Sequence, residues 1–574
     1  MTDRRWRIRA SEPGAWENLS RALGVSGLVA RVLAARGVMP GPEAEAFLKP
    51  RLASLPHPFG IPGMAAAADR LARAVETREP LWLYTDYDVD GVTSAALLVE
   101  FLEACGAEVH CRLPRRDREG YGLKVEPLEE MAAAGARVVV TADCGVRAVE
   151  AARRARELGV DLVITDHHAP GPELPQATAL VNPRLTGGEY PEPAPAGVGV
   201  AWNLAAAVRS VLRAQGHFAS RSEPDLRMWL DLVAVGTVAD MVPLRGVNRV
   251  FVAAGLGLCN PPRRPGLRAV ASVAGLRPPL TAGNLGFHIG PRLNAAGRME
   301  GPRAALDLLR AASSAEAVEH ARVLEGLNRQ RQAEERSAVA AARQRVEKEG
   351  WWPGRYGFVL EGDDWHPGVV GLVASRLVEA FHRPAVVLVP QGATLKGSAR
   401  SIPGLHLVEA LEDCRDLLVR YGGHAAAAGL ELEPGALGAF RERFEEAVRS
   451  RVGEEDLVPV LEADAEVALS ELNDQTVAEL GCLEPFGVGN PRPVFVLRGV
   501  EVVSERPLGA SGDHRALVVA QGEARREAVV WRVPESWSFL RPGTRVDLVV
   551  TAGLHTWNGR TTVRLTVKDA HAAG

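Results

Sequence analysis

The stretch LWLYTDYDVDG, residues 81–91, decides how this chain is read. Four apolar residues, Leu81–Tyr84, have the pattern of a short buried strand, and acidic residues follow at once at Asp86, Asp88 and Asp90. Gly91 leads into the helix-like stretch Val92–Ala104. Apolar run, turn and helix make the first half of a βαβ unit. Working outward, the pattern recurs. Apolar runs at Arg137–Thr141, Asp161–Thr165 and Leu232–Val238, with helix-like Val146–Leu158 among them, predict a parallel sheet continuing to about residue 245.

Each of these runs ends in carboxylate or imidazole. Asp143 follows Val138–Val140, Asp166, His167 and His168 follow Leu162–Ile164, and Asp240 follows Val233–Val238. Carboxyl ends of parallel strands line one edge of a sheet, so groups from four predicted strands should converge there. Crowded carboxylates repel one another unless a cation sits among them. Carboxylate and imidazole without thiolate suit manganese or magnesium better than zinc. The set is large enough for two ions sharing a bridging carboxylate, and two ions ~3.5–4 Å apart form a clamp for phosphodiester hydrolysis. Each residue also has a plainer reading. An Asp after a strand is commonly a helix N-cap, Asp90-Gly91 makes a turn, and a buried His is often a hydrogen-bonded core group. Four such coincidences at four strand ends favour metal.

The rest of the chain divides by pattern. Residues 1–75 look helical and irregular. Residues 313–349 contain Gly326 but no other Gly or Pro, start with a Ser313/Glu316 capping box and stop at Gly350 and Pro353. They predict one helix roughly 50 Å long; two stacked helices broken near Gly326 are the alternative. Residues 355–450 alternate again as a second, smaller α/β domain. From about residue 455, five or so short strands predict a small barrel, for which the oligonucleotide-binding (OB) fold is one candidate among small barrels.

Composition bounds the function classes. A chain of 574 residues suggests three or four domains. The net charge of −4 excludes a globally basic nucleic-acid coat, so any such contact must come from local patches. Arginine, with its two-pronged fork for phosphate, far outnumbers the five lysines. Six cysteines without a C-x-x-C pair argue against a disulfide framework or a zinc site, and a cytoplasmic location is expected. The opening MTDRRWRIRA has no apolar signal region, and no run approaches the ~20 apolar residues of a membrane span.

Asp166-His167-His168 is the name-giving motif of the DHH phosphoesterase superfamily. DYDVDG at 86–91, TADCG at 141–145 and GTVAD at 236–240 accompany it in the expected order. Within that superfamily the chain resembles the RecJ family of single-strand-specific DNA exonucleases. The resemblance rests on EGYGL at 119–123, IGPRLNAAGR at 289–298, HPGVVG at 366–371, GSARS at 397–401, GGHAAAAG at 422–429, EPFGVGNPRPVF at 484–495 and WNGR at 557–560. It departs at Thr85, where Gly is usual, and at Arg115, where Asn is usual.

The resemblance implies a multidomain α/β architecture. A helical or irregular segment at 1–75 would precede a parallel-sheet DHH domain at 76–310 and a connecting helix at 311–350. A smaller α/β DHH-associated domain at 351–452 and an OB-fold barrel at 453–574 would follow. It implies two Mn2+ or Mg2+ ions held by Asp88, Asp90, Asp143, His167 and Asp240, with Asp143 bridging and Asp86 in the catalytic set. His168 would face the scissile phosphate. Arg116, Ser398 and Arg400 would hold a 5′-terminal phosphate, and Arg292, Arg298, His424 and Tyr121 would contact the strand. The implied activity is 5′-to-3′ exonuclease action on single-stranded DNA, releasing 5′-mononucleotides, in repair and recombination. A monomer acting beside a helicase and a single-strand-binding protein is expected. DHH-type phosphodiesterases of nanoRNA or cyclic dinucleotides, a non-catalytic replication scaffold and a plain single-strand-binding protein are the competing readings.

Overall fold

In the computed structural model, which describes residues 4–116, 118–191, 193–509 and 512–573, the strand Leu81–Thr85 lies inside a five-stranded sheet. Its order is Val109–Arg112, Leu81–Thr85, Val138–Ala142, Asp161–Thr165, Ala179–Val181, and every pairing is parallel. Alternate residues serve opposite faces, as the period of two in a strand requires. Leu81, Leu83, Val138, Val140 and Val163 pack into a large core with helices Met64–Thr77, Val89–Ala104, Gly197–Ala214 and Leu230–Ala239. Tyr84, Val139, Leu162 and Ile164 pack on the other side with helices Val125–Ala133 and Val149–Glu157. Both faces are covered, which explains the near-continuous apolar runs. Numbered along the chain, the strands stand 2-1-3-4-5. The connections therefore diverge between Leu81–Thr85 and Val138–Ala142, and in such sheets the crevice at that switch point is where ligands bind.

One predicted strand is wrong. Leu232–Val238 lies in the helix Leu230–Ala239. Residues Leu230 to Thr237 are all buried, so apolar residues occupy every side of the helix. A short all-apolar run carries no period that separates a buried helix from a buried strand. Asp240 therefore reaches the sheet edge from a helix C-terminus.

This sheet belongs to a unit made of residues 49–332 and 485–491; residues 4–48, 333–484 and 492–573 make a second. The helix Ser314–Lys348 is continuous through Gly326. Ala317, Ala321, Leu324 and Leu327 serve the first core, whereas Ala338, Ala342 and Val346 serve the second. The amide of Glu316 donates to Ser313 Oγ at 3.2 Å, and the Glu316 carboxylate accepts from the Ala312 amide, one residue earlier than the capping box predicts.

In the second unit a mixed sheet runs Arg420–Gly423, Ala427–Leu432, Thr394–Arg400, Ala385–Gln391, Phe358–Glu361. A barrel follows. Phe495–Leu508 pairs with His514–Gln521, then Ala524–Val530, Arg560–Ala572 and Arg545–Trp557 continue the sheet, and the last pairs back onto the first. Closure leaves no open edge in those five strands. Several of the strands are long, Phe495–Leu508 reaching 14 residues, where short ones were expected.

The segment 1–75 also holds a strand that its sequence did not announce. Arg5–Ile8 runs parallel to Val460–Ala463, with Arg7 and Arg9 paired to Glu462. Its Arg-Trp-Arg-Ile alternation covers only four residues and only Trp6 is partly buried, too short and too exposed a signal to mark a strand. All six cysteines are free thiols. Among the described residues no helix is long and apolar enough to cross a membrane.

Candidate metal centre

The turn after Leu81–Thr85 is shaped by its acidic residues. Asp88 caps the helix Val89–Ala104, its Oδ1 accepting from the amides of Asp90 at 2.9 Å and Gly91 at 3.1 Å. The N-cap reading of a strand-end Asp is thus correct for Asp88, and it aims the residue rather than disqualifying it. Gly91 packs directly on the Asp86 carbonyl, where a Cβ would collide. Asp90 is fully buried and accepts from the first-turn amides of another helix, Gly197 N at 2.6 Å and Val198 N at 2.8 Å. A Cβ on Gly197 would stand 2.7 Å from the Asp143 side chain, so glycine lets this positive helix end approach two carboxylates.

Asp143, Asp166 and Asp240 complete the cluster in different ways. Asp143 follows Val138–Ala142 in a left-handed conformation, φ 62°, unusual for a non-glycine residue. Asp166 spends its oxygens on its surroundings: it accepts from Val146 N at 2.9 Å, His167 N at 2.7 Å and His168 N at 3.0 Å, and from His168 Nδ1 at 2.7 Å. It orients the two imidazoles. His167 Nε2 lies 3.1 Å from Asp143 Oδ1, 3.7 Å from Asp240 Oδ2 and 3.8 Å from Asp90 Oδ2. The ligand-type atoms fall into overlapping groups, each spanning at most 4.8 Å: Asp86, Asp88 and Asp143; Asp90, His167 and Asp240; Asp143, His167 and His168. Asp143 belongs to two of them.

These residues fit divalent cations. Asp86 Oδ1, Asp143 Oδ1, Asp240 Oδ2 and both His167 ring nitrogens are buried without a hydrogen-bond partner. Such orphans normally cost ~1–3 kcal/mol each. Burial, then the charges of their neighbours, pushes the Asp86, Asp90 and Asp143 carboxyls well above the usual carboxylate range. Burial and then Asp88 push Asp240 up to about 7, and burial followed by the neighbouring His168 lowers the His167 imidazole to about 3. Neutral imidazole and crowded carboxylate are the states a cation selects. Cys144 stays out of the set, its Sγ turned toward the Tyr84 carbonyl at 4.0 Å.

His168 differs from His167. Burial alone would lower its imidazole, but the hydrogen bond and charge of Asp166 outweigh it and raise it above the ordinary value. The Tyr121 hydroxyl lies 3.0 Å from His168 Nδ1, with the two rings edge to face. Asn182, fully buried, donates to the His168 carbonyl at 2.9 Å. Sequence reasoning passed over Asp166 and Asn182 as positioning groups; the polar type of Asn182 after a strand was the only available signal.

The predicted strand contacts fall on both units. In the catalytic unit the Arg116 guanidinium stands over the Tyr87 ring at 5.7 Å. Arg292 is committed to Glu325 at 2.7 Å and to the His288 carbonyl at 2.8 Å, which leaves it less free for DNA than its motif suggests. Arg298 is half-buried on the same helix, Gly290–Met299. Of the arginine-rich run PRRDR, Asp117 lies outside the described residues. In the second unit Arg400 donates to Ser398 Oγ at 2.7 Å. Both side chains face Gly371, where a Cβ would be 2.9 Å from Arg400 and 3.2 Å from Ser398. His424 sits in the turn between two strands of that sheet, its amide donating to the Ala427 carbonyl. The barrel carries a cavity of about 860 Å³ lined by Arg506, Arg525, Arg526, Arg560, Arg564 and Trp557, among others.

A 2-1-3-4-5 parallel sheet with three overlapping groups of Asp and His ligands at its switch point is the catalytic domain of a DHH-type metal phosphoesterase. The family models agree: "DHH family, N-terminal domain" matches residues 80–237, "DHHA1 domain" 354–450 and "RecJ OB domain" 463–569. The single-stranded-DNA-specific exonuclease RecJ of Bacillus subtilis is 36% identical over 571 residues, 99% of this chain and 70% of the relative. That of Escherichia coli K12 is 38% identical over 82% of each chain. The crystal structure of RecJ in complex with Mn2+ from Thermus thermophilus superposes with a TM-score of 0.85 at 32% identity, over 99% of this chain and 80% of that one. The chain belongs to the RecJ family of single-stranded-DNA-specific exonucleases.

Proposed function

We propose that this chain hydrolyses single-stranded DNA from its 5′ end with the help of two Mn2+ or Mg2+ ions and releases 5′-mononucleotides. The observation that carries the reading is the run of overlapping clusters linked through Asp143 and His167, with their buried, unpartnered oxygens and nitrogens. Asp86, Asp88 and Asp143 would hold one ion and Asp90, His167 and Asp240 the other, with Asp143 between them. Bound there, divalent ions ionise water near neutral pH and neutralise charge on a phosphodiester.

The chain's own groups do the rest. Asp166 accepts from Nδ1 of His168, which leaves Nε2 to meet the substrate and favours the protonated ring. A cationic imidazole stabilises charge developing on phosphate oxygens. Tyr121 braces that ring. Arginines and Trp557 around the barrel cavity offer phosphate contacts and a stacking surface, the mode by which OB folds take single strands. Ser398 with Arg400, and separately Arg116, are proposed phosphate ligands; Arg298 and His424 are proposed strand contacts. The reading includes work as a cytoplasmic monomer beside a helicase and a single-strand-binding protein in DNA repair and recombination.

The test compares 5′-labelled and 3′-labelled single strands and blunt duplex with Mn2+ present. The proposal expects labelled mononucleotide at the earliest times from the 5′ label, a shortening ladder from the 3′ label, and intact duplex. Early release from the 3′ label refutes the polarity. Cleavage of two-to-five-nucleotide oligomers with long DNA left intact supports the small-substrate phosphodiesterase instead.

A further inference from the structure

The EPFGVGNPRPVF motif has no role in the account so far, and its central residues lie in an unexpected place. Residues 485–491 belong to the catalytic unit, while the residues on either side of them belong to the other. The loop closes on itself through Gly487 and Asn490, whose backbones bridge, and Asn490 Nδ2 donates to the Pro485 carbonyl at 2.9 Å. It lies against the segment that follows Asp240. The Leu244 amide donates to the Val488 carbonyl at 2.7 Å, and Arg245 Nε to the Gly489 carbonyl at 2.8 Å. The fully buried Arg249 donates to the Pro485 carbonyl at 3.3 Å. Two glycines allow this fit. A Cβ on Gly487 would be 2.6 Å from Leu244, and Gly489, at φ 72°, would bring one to 2.9 Å from Pro243.

What the loop grips leads to two metal ligands. Asp240 ends its helix, and Met241 beside it is held at φ 64°, a conformation that non-glycine residues resist. Neighbouring structure must impose that turn. The turn continues directly into Pro243 and Leu244, the residues under the loop. From the same segment the buried Asn248 donates to the Pro243 carbonyl at 3.2 Å and to the Ala194 carbonyl at 3.0 Å. Ala194 stands three residues before Gly197, whose amide holds Asp90. Hydrogen bonds thus tie the loop to the backbone segment that continues from Asp240, and Asn248 ties that segment to the stretch leading to the Asp90 cradle. Asp90, His167 and Asp240 form one ligand group.

We propose that the loop at 485–491 is a positioning brace for the Asp90–His167–Asp240 ion. It tunes that ion without touching it; of the Asp86–Asp88–Asp143 group only Asp143 packs on Gly197, and the Gly197 amide goes to Asp90 instead. Groups that orient metal ligands without binding metal commonly change affinity ~10–100-fold. The inference rests on the two-ion reading above.

The test is Mn2+ binding by isothermal titration calorimetry to the full chain, wild type against Gly489→Ala and Arg245→Ala. Gly489→Ala strains the loop on Pro243; Arg245→Ala removes one exposed hydrogen bond and keeps the fold. Two classes of site are expected in wild type. Gly489→Ala should weaken one class ~10-fold and leave the other unchanged, and Arg245→Ala should weaken the same class about threefold. Nuclease activity of both variants should recover at raised Mn2+. Isotherms identical to wild type in a folded Arg245→Ala, or equal weakening of both classes, overturn the brace. Wild type that binds no Mn2+ while Arg245→Ala remains folded refutes the two-ion reading itself, and the inference falls with it.

Discussion

His167 Nε2 and Asp143 Oδ1 face each other across 3.1 Å, both buried and neither in a hydrogen bond. They join the two ligand groups at the sheet's switch point. A protein that placed them there for packing alone would leave several polar atoms unsatisfied, at a cost its marginal stability rarely tolerates. Divalent ions resolve that frustration, and the contrast between the metal-free and metal-loaded protein follows from it.

Mn2+ should stabilise the wild-type fold and chelation should weaken it. At a hundredfold excess over the dissociation constant, one site contributes ~2.7 kcal/mol. Asp143→Asn reverses the sign of the comparison. In EDTA it removes a buried charge set among like charges, so the variant should equal or exceed wild type, by about 1 kcal/mol. In Mn2+ it should gain little. Thermal unfolding in both buffers reads all four values, and a variant that gains as much from Mn2+ as wild type does contradicts the bridging role.

Asp166 holds His168 without joining the ligand set. Asp166→Asn should lower kcat on single-stranded DNA by about 10² while KM moves less, because the loss is in transition-state stabilisation. His168→Ala should cost at least as much, and the double variant little more than His168→Ala alone. Additive losses would separate the two residues into independent roles.

The barrel cavity should act on KM. Trp557→Ala removes an exposed ring, 71% accessible, whose stacking on a base is worth ~1–3 kcal/mol. Arg560→Ala and Arg564→Ala should each flatten the dependence of log affinity on log salt by ~0.7 for every phosphate the variant no longer neutralises. Fluorescence anisotropy with a labelled oligonucleotide across a salt series measures both. An unchanged slope in each arginine variant places the strand elsewhere.

Gly326 stands exposed in the middle of the helix Ser314–Lys348 with open space around it. Gly326→Ala should stabilise the protein by ~0.5–1 kcal/mol through helix propensity alone, with activity unchanged. Chemical denaturation checks this, and destabilisation would mean that the chain needs a bend at that point.

Much of the catalytic centre was legible because three ligand-bearing segments follow strands with two buried faces. Leu81–Tyr84, Val138–Val140 and Leu162–Ile164 announce themselves, and Asp86, Asp143 and His167 come next in sequence. Asp240 was found for a partly wrong reason: its approach is helical, and a uniformly buried segment hides its period. The parallel strand Arg5–Ile8 was illegible because its partner, Val460–Ala463, lies some 450 residues away and its outward charges are neutralised only there. The same limit applies to the loop at 485–491. Its glycines were visible, but the Pro243 and Leu244 surfaces that require them were not.

The most direct measurement is hydrolysis of 5′-labelled single-stranded DNA by wild type and Asp143→Ala, each with Mn2+ and with chelator. The account predicts mononucleotide release by wild type with Mn2+ alone and a loss of at least 10³ in Asp143→Ala, a residue of two of the three ligand groups. Release by wild type in chelator, or by a folded Asp143→Ala at near wild-type rate, would contradict a metal-dependent mechanism centred on that carboxylate.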